Sequence, residues 1–419
     1  MPEASPRAPR VGLLYDSVSA NTGDVAIGIA GRQELARHGI DDVVVLDPFN
    51  PAMRGVDAVI VGGGELIRPL GDAFYDAFRT TGGALLNAVG VWQNADQLDY
   101  LSGYDFVSAR SQAEAAVIRP FAPDVRVLPC TTTTLESETY HVDHIEPGER
   151  VVGVHVVPHT LSLCPGIVEI VNAIPHRKVF IPFTHYNYDE SFMRALPFDM
   201  TNAVLLPRLE PLELHSVIGQ MAYVVTSSLH ATLFAYSQGV PFASAHQEKV
   251  VNYFGDRGLG RFVFASDDQL RRSLAEIDGG KVTFEDEVAA DKQSVRAAYA
   301  DYAEIIRRRA TEQRTGARRR GAAVGQQAES DRRADHLRAE QREHVITNRD
   351  VTVHSLMYRA VSAEAEATHW KAEAERLSAV LQRYPHRMLL RGLRAVARLV
   401  LPVRLRRMLR RVAASPTHR

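Results

Sequence analysis

A hydroxyl-rich segment with a histidine follows an apolar run in the second half of the chain. The run Tyr223–Thr226 predicts a buried strand, and Ser227, Ser228 and His230 stand where the next predicted helix begins. Free N–H groups at a helix N-terminus bind anions, and a histidine can exchange a proton with a substrate hydroxyl. The segment therefore predicts an anion site with His230 as the catalytic acid or base. The alternative is a helix capped by one serine, with His230 buried against the sheet.

Three consecutive glycines, Gly62, Gly63 and Gly64, directly follow the predicted strand Ala58–Val61. Glycine tolerates a positive φ and lets a ligand approach the backbone closely. The run does not fit the dinucleotide spacing G-x-G-x-x-G, and the chain contains no G-x-x-x-x-G-K-[ST] segment. The glycines therefore indicate a loop that lines a ligand cleft, and a turn needed only for packing is the alternative.

A small polar loop connects the first predicted strand, Val11–Tyr15, to the first predicted helix. It contains Asn21, Gly23 and Asp24. Such loops lie at the carboxyl edge of a parallel sheet, where doubly wound folds bind their ligands. The loop is thus a second candidate for the cleft, although Asn21 and Asp24 are also ordinary helix-capping residues.

Two cationic side chains are candidates for binding an anion. Arg110 follows the predicted strand Tyr104–Val107, and Lys249 lies shortly after the predicted strand Pro241–Ala245. Arginine suits a carboxylate or phosphate clamp, and a solvated surface role is the alternative for both residues. The chain has 16 histidines but no H-E-x-x-H spacing, so we expect no metal site.

The order of these motifs resembles the polysaccharide pyruvyl transferase family. The resemblance covers residues 11 to about 275 and rests on the following segments: Asn21–Asp24, Gly62–Gly64, Arg110–Ser111, Ser227–Ala231, Gly239–Pro241 and Lys249. It implies a two-domain fold similar to GT-B glycosyltransferases. It also implies transfer of a pyruvyl group from phosphoenolpyruvate to two hydroxyls of a sugar, which yields a cyclic ketal.

The resemblance implies phosphoenolpyruvate as co-substrate, no further cofactor, and a sugar or lipid-linked glycan of a cell-surface or exopolysaccharide precursor as acceptor. Some family members have Arg-Leu-His where this chain has Ser228, Leu229 and His230. The anionic groups of the donor would then be bound by other residues, and Arg110 is a candidate. Two alternatives remain, a GT-B glycosyltransferase that uses a nucleotide sugar and a non-catalytic glycan-binding scaffold.

Short apolar runs alternate with helical patterns as far as about residue 280, which predicts an α/β fold of two Rossmann-like doubly wound domains facing a cleft. In the first half the predicted strands are Val11–Tyr15, Val43–Leu46, Ala58–Val61, Ala84–Val89, Tyr104–Val107 and Val125–Leu128. In the second half they are Val151–Val157, Lys178–Pro182, Ala203–Leu206, Tyr223–Thr226, Pro241–Ala245 and Arg261–Phe264. We therefore expect a disordered N-terminus (1–10), two domains (11–146 and 147–285), a charged helical or linker extension (286–384) and a basic amphipathic tail (385–419).

The charge of the chain is unevenly distributed. The net charge is −1, but residues 387–419 contain ten arginines and no Asp, Glu or Lys, so residues 1–386 carry −11. This balance excludes a uniformly basic nucleic-acid binder, and we expect no nucleic-acid partner. Basic amphipathic helices commonly lie on anionic membranes, which predicts peripheral membrane association through the tail. Packing of the tail on the acidic body, or a nucleic-acid contact, is the alternative.

The cysteine content and the hydropathy of the chain indicate its cellular compartment. The chain has two cysteines, Cys130 and Cys164, and neither a signal-peptide pattern nor an 18-residue apolar run. We therefore expect a cytoplasmic protein, peripheral at the inner face of the membrane if the tail binds there.

Overall fold

A computed structural model describes most of the first three quarters of the chain. The described residues are 8–18, 21–46, 48, 55–70, 73–79, 85–92, 94–142, 145, 148–184, 189–280, 282–317 and 371. The chain divides into two compact units, residues 1–358 and 359–419. The fold and the site below belong to the first unit. The predicted membrane-binding tail at 385–419 lies outside the described residues and stays a prediction.

Two parallel six-stranded sheets organise the first unit. The strands of the first sheet are β1 Val11–Leu14, β2 Val43–Val45, β3 Ala58–Gly62, β4 Leu85–Val89, β5 Phe106–Ala109 and β6 Arg126–Val127. Those of the second sheet are β7 Val151–Val154, β8 Arg177–Phe180, β9 Ala203–Leu205, β10 Tyr223–Thr226, β11 Phe242–Ala245 and β12 Val263–Phe264. Each predicted strand has a counterpart, because buried parallel strands appear in the sequence as short continuous apolar runs.

The helices connect successive strands. Those of the first half are α1 Thr22–Arg37, α2 Ala73–Arg79 and α3 Gln112–Ile118. Those that follow β7 are α4 Pro158–Leu163, α5 Ile167–Asn172, α6 Asp189–Ala195, α7 Pro211–Gly219, α8 Leu229–Ser237, α9 Glu248–Gly255, α10 Asp267–Asp278 and α11 Glu285–Ala317. In the described residues, no helix is both long and apolar enough to cross a membrane.

The strand order places one ligand-binding edge in each sheet. The first sheet runs β2-β1-β3-β4-β5-β6 and the second β12-β11-β10-β7-β8-β9. The order reverses direction between β1 and β3 and between β7 and β10. In doubly wound sheets, ligands bind outside the carboxyl ends of the strands at such switch points. The loops after β1, β3, β7 and β10 are therefore the elements that position the site.

Helix α11 packs on the first sheet although it follows the second in sequence. Its buried side chains Tyr299 and Tyr302 belong to the same apolar cluster as Leu85 and Phe106. The Tyr302 hydroxyl donates to Asn87 Oδ1 at 3.2 Å, which satisfies a buried amide of β4. Burying one large side chain contributes roughly 1.5–3 kcal/mol, so α11 is part of the folded body. The sequence had placed residues from 286 onward in a charged extension.

Candidate functional site

The glycine loop after β3 supports a buried carboxyl group on α1. Gly64 has φ +84°, and a Cβ there would lie 2.7 Å from Asp24 Oδ1. An L side chain is disfavoured at that φ, and the space is already taken by the carboxyl. The close approach of the Gly64 backbone to Asp24 thus explains the third glycine. It also joins two of the loops predicted to line the cleft.

Asp24 lies within the first turn of α1 and is 7% exposed. The Asn21 side-chain amide donates to Asp24 Oδ2 at 2.7 Å, while Asn21 Oδ1 accepts from the Gly23 N–H and caps the helix. Burial, and then the nearby Asp16, raise the pKa of Asp24 to about 8. Asp24 is therefore mostly protonated at neutral pH, so it can donate a proton. Asn21 therefore caps the helix, as its residue type suggested, whereas Asp24 lies inside the first turn and does not.

His230 lies in the first turn of α8 and contacts the other half of the molecule. A Cβ on Gly23 of α1 would overlap the His230 imidazole, so only glycine leaves room for the ring. The Nε2 atom lies 3.8 Å from Cys130 Sγ. Burial first, then the positive charges of Arg110 and Lys249, lower the pKa of His230 to about 3. His230 is buried, as the alternative interpretation of this segment expected. It packs against α1, however, and its imidazole is neutral.

Arg110, immediately after β5, is 3% exposed and already has anionic partners. Its Nε donates to Glu114 Oε1 at 2.9 Å, and its guanidinium lies 3.4 Å from Glu65 Oε1. Ser111 caps α3 and also donates to Glu114 at 2.9 Å, which fixes that carboxylate. Arg110 is therefore a buried source of positive charge behind the cleft, with its guanidinium paired to two carboxylates.

Lys249 of α9 reaches the first half through Glu65. The distance from Lys249 Nζ to Glu65 Oε2 is 3.8 Å, and the lysine side chain is 34% exposed. Burial opposes ionisation of Glu65, but Lys249, Arg110 and Arg68 outweigh it and hold the pKa of Glu65 below its usual value. Burial, partly offset by Glu65, lowers the pKa of Lys249. Lys249 is thus a cation at the cleft that is only loosely paired.

The serine segment after β10 is held by a buried network. The Ser227 N–H donates to His155 Nδ1 at 3.4 Å, and the Ser227 hydroxyl donates to the His155 carbonyl at 3.0 Å. Thr160 contacts the same hydroxyl, and the Gln247 side chain donates to the Ser227 carbonyl at 2.6 Å. Ser227 is 2% exposed, so its hydroxyl supports the loop from within.

A carboxylate fixes the ring that supports this loop. His155 Nε2 lies 3.0 Å from Asp189 Oδ2, which also accepts the N–H groups of Phe183 at 2.6 Å and Thr184 at 2.5 Å. Burial opposes ionisation of Asp189, but His155 and the two backbone donors hold the pKa of Asp189 at about 2. With Nδ1 accepting from Ser227, the imidazole proton lies on Nε2 and faces this carboxylate.

Ser228 occupies the N-cap position of α8 but makes no side-chain capping bond. The alternative, a helix capped by a serine hydroxyl, is not observed, because the Ser227 hydroxyl donates to the His155 carbonyl and the Ser228 side chain makes no capping hydrogen bond. The first turn of α8 consequently keeps backbone N–H groups that helical hydrogen bonding does not use. Ser228 is partly exposed beside His230, as an anion site at this helix would require.

A cavity of about 440 Å³ opens beside these charges. Residues from both halves line it, among them Glu65, Trp92 and Asn94 from the first half and Gln247 and Lys249 from the second. Its volume falls in the range of small-molecule sites, roughly 300–1,000 Å³. Among the described residues, no group of three or more His, Cys, Asp or Glu side chains has the geometry of a metal site.

Sequence reasoning missed several residues of the site. Glu65 directly follows the three glycines, and a carboxylate at that edge was a usable signal. Asp189, Cys130 and Trp92 lie outside every motif, so only the fold brings Trp92 to the cavity, Cys130 to His230 and Asp189 to His155. The site unites a protonated carboxyl, a neutral imidazole and two cations, which suits proton transfer beside a bound anion.

The solved structures to which this chain is similar are distant in sequence, and their TM-scores lie below 0.5. The glycosyltransferase SnogD from Streptomyces nogalater is 12% identical with a TM-score of 0.38, and the match covers 72% of this chain and 100% of that chain. A UDP-glucosyltransferase from Polygonum tinctorium is 11% identical with a TM-score of 0.44, covering 72% and 99%. The UDP-GlcNAc 2-epimerase of Methanocaldococcus jannaschii is 10% identical with a TM-score of 0.40, covering 65% and 92%.

No curated protein matches the chain by sequence. A family model described as polysaccharide pyruvyl transferase matches residues 21–244, which is more than half of the chain. The match begins at the helix cap Asn21 and includes the glycine loop, Arg110 and His230. The two parallel sheets, with a cavity lined by residues of both halves, form a two-domain Rossmann-like architecture. The chain therefore belongs to the polysaccharide pyruvyl transferase family.

Proposed function

We propose that this protein transfers a pyruvyl group from phosphoenolpyruvate to two hydroxyls of a sugar, forming a cyclic ketal. The observation that carries the proposal is the proximity of Arg110 and Lys249 to His230, beside a cavity that Lys249 lines. The three lie on separate loops and helices of both halves, and the two cations act together on the pKa of the histidine. A donor with a carboxylate and a phosphate needs such a cationic environment.

The donor anion fits beside α8 and Lys249. The unused N–H groups of the first turn of α8 and the exposed part of Lys249 offer positive charge without a tight partner. Burial is the main cause of the low pKa of His230, and the charges of Arg110 and Lys249 lower it further. A bound anion offsets these two charges, so the pKa of His230 rises when the donor binds and the imidazole becomes a better proton acceptor than in the free protein.

The reaction needs a proton at the donor methylene and a sink for two hydroxyl protons. Protonation of the methylene carbon makes C2 electrophilic, and one sugar hydroxyl adds there and loses its proton. The C2–O bond to phosphate then breaks, and the phosphate leaves with one of the two hydroxyl protons. The second hydroxyl adds to C2 and loses its proton, so that one hydroxyl proton in all replaces the proton given to the methylene. Asp24, which holds a proton at neutral pH, is the proposed acid, and His230 is the proposed acceptor of a hydroxyl proton.

Replacing His230 tests the proposal. We expect His230→Ala to reduce phosphate release from phosphoenolpyruvate, measured with glycan acceptors, by at least about 100-fold, the usual contribution of an acid–base group. His176→Ala is the matched control, because His176 precedes β8 at the opposite edge of the second sheet. Circular dichroism establishes that both variants fold. Equal turnover in His230→Ala and the control would contradict the proposal.

A further inference from the structure

Trp92 lies in the cleft with its ring fixed in place. The side chain is 42% exposed and forms part of the wall of the 440 Å³ cavity. The Arg68 guanidinium lies 4.7 Å from the Trp92 ring and 3.9 Å from the Tyr75 ring, so it is stacked between the two aromatics. A hydrogen bond between Trp92 and Glu65 also contributes to the low pKa of that carboxylate. The indole is thus held on one side while it remains accessible to the cavity.

The remaining walls carry oxygen and amide groups more than positive charge. Among the described residues that line the cavity, Glu65, Glu114 and Glu248 contribute carboxylates, Asn94, Gln247 and Asn252 contribute amides, and Lys249 is the one cation. Two of these carboxylates also have cationic partners, since Arg110 binds Glu114 and Lys249 lies near Glu65. They can accept hydrogen bonds from hydroxyl groups, and the nearby cations balance much of their negative charge.

We propose that this cavity is the subsite for the acceptor, and that it takes a neutral pyranose whose C–H face stacks on Trp92. The ring face of an indole matches the apolar face of a sugar, and carboxylates and amides match its hydroxyls. A nucleotide diphosphate fits less well, because Lys249 is the one cation among the described lining residues and it already lies near Glu65. The inference rests on the proposed function, since it names the substrate that receives the pyruvyl group.

Lys249 stands where the two substrates would meet. It lines the cavity and also contributes to the electrostatic environment of His230 and Asp24. A sugar stacked on Trp92 therefore has its hydroxyls directed toward the part of the cleft where the donor anion is proposed to lie. The cavity is large enough for one monosaccharide unit. We therefore expect the protein to select its acceptor by the sugar residue that receives the pyruvyl group.

Tryptophan fluorescence tests this subsite, because the chain has only two tryptophans, Trp92 and Trp370. In Trp370→Phe the emission comes from Trp92, and in Trp92→Phe it comes from Trp370. Full-length proteins are titrated with methyl α- and β-pyranosides of glucose, galactose and mannose up to about 100 mM, which reaches weak binding. We expect a saturable change in Trp370→Phe with at least one glycoside and none in Trp92→Phe.

Saturation-transfer NMR with the same glycosides keeps the test independent of fluorescence. Trp92→Ala should weaken binding roughly tenfold, whereas Trp370→Ala should not change it. No response in either single-tryptophan protein, or the same response in both, would overturn the subsite. A response to UDP but to no glycoside would also overturn it. Calorimetry with phosphoenolpyruvate separates the two proposals, since donor binding without a glycoside response leaves the proposed function standing and removes only the subsite.

Discussion

Two buried aspartates at the switch points of the two sheets have opposite ionisation behaviour. Asp24, after β1, has its pKa raised to about 8, and Asp189, beside the loop after β7, has its pKa lowered to about 2. Both are nearly inaccessible to solvent, at 7% and 0% exposed. Burial alone raises the pKa of a carboxyl, so the difference must come from the neighbouring groups.

Hydrogen-bond donors account for the contrast. Asp189 accepts from His155, from the Thr184 hydroxyl and from three backbone N–H groups. Asp24 accepts from the Asn21 amide, and the charge of Asp16 opposes its ionisation. The donors around Asp189 stabilise its ionised form, and the carboxylate in turn holds a loop in place. Asp24 has fewer donors, so its carboxyl group retains a proton and can act as an acid.

Replacing Asp189 should have the largest effect on stability. Asp189→Ala removes the carboxylate that holds His155 and the loop before α6, so we expect the free energy of unfolding to fall by about 3–5 kcal/mol. Urea denaturation at pH 7 measures it, with the exposed Asp199→Ala as the control. The stabilisation from Asp189 is present above about pH 4 and is lost as the pH falls toward 2. A loss below about 1 kcal/mol in Asp189→Ala would show that the Asp189 carboxylate does not stabilise the fold in the way that distinguishes it from Asp24.

Replacing Asp24 should have the opposite sign. The unfolded carboxyl ionises near pH 4, whereas the folded one keeps its proton up to about pH 8, so the native state loses stability steadily between those values. Asp24→Asn removes this penalty. We expect the free energy of unfolding to rise by about 2–4 kcal/mol at pH 9 and by less than half of that at pH 5. Urea denaturation at both pH values measures this difference. A gain in the free energy of unfolding that does not depend on pH would refute the raised pKa of Asp24.

Glycine substitutions, which should have a smaller effect, test whether Gly64 confines the Asp24 carboxyl group. Gly64→Ala places a Cβ against Asp24 at a positive φ, so we expect a cost of about 2 kcal/mol. Gly39→Ala is the control, since Gly39 also has a positive φ (+68°) but open space around it. It should cost about 1 kcal/mol, the price of the backbone conformation alone. Equal costs in thermal unfolding would mean that Gly64 does not confine Asp24.

The sequence specified the scaffold better than the chemistry. Buried strands such as Ala58–Gly62 are visible as continuous apolar runs, and Asn21 and His230 follow such runs closely enough to be recognised. The protonated state of Asp24 was not predictable, because it depends on burial and on Asp16, whose proximity only the fold creates. Helix α11 was assigned to an extension, since its charged exposed face conceals the few apolar residues that dock on the first sheet.

The most direct test of a donor site beside a protonated Asp24 is calorimetric titration with phosphoenolpyruvate at pH 8 in buffers of different ionisation enthalpy. Asp24 is then about half protonated, and a bound anion favours its protonated form, so we expect saturable binding with uptake of up to about half a proton. Asp24→Asn should bind the donor with that uptake removed. Absence of saturable binding, or the same proton uptake in Asp24→Asn as in the unchanged protein, would show that the donor does not bind beside a protonated Asp24.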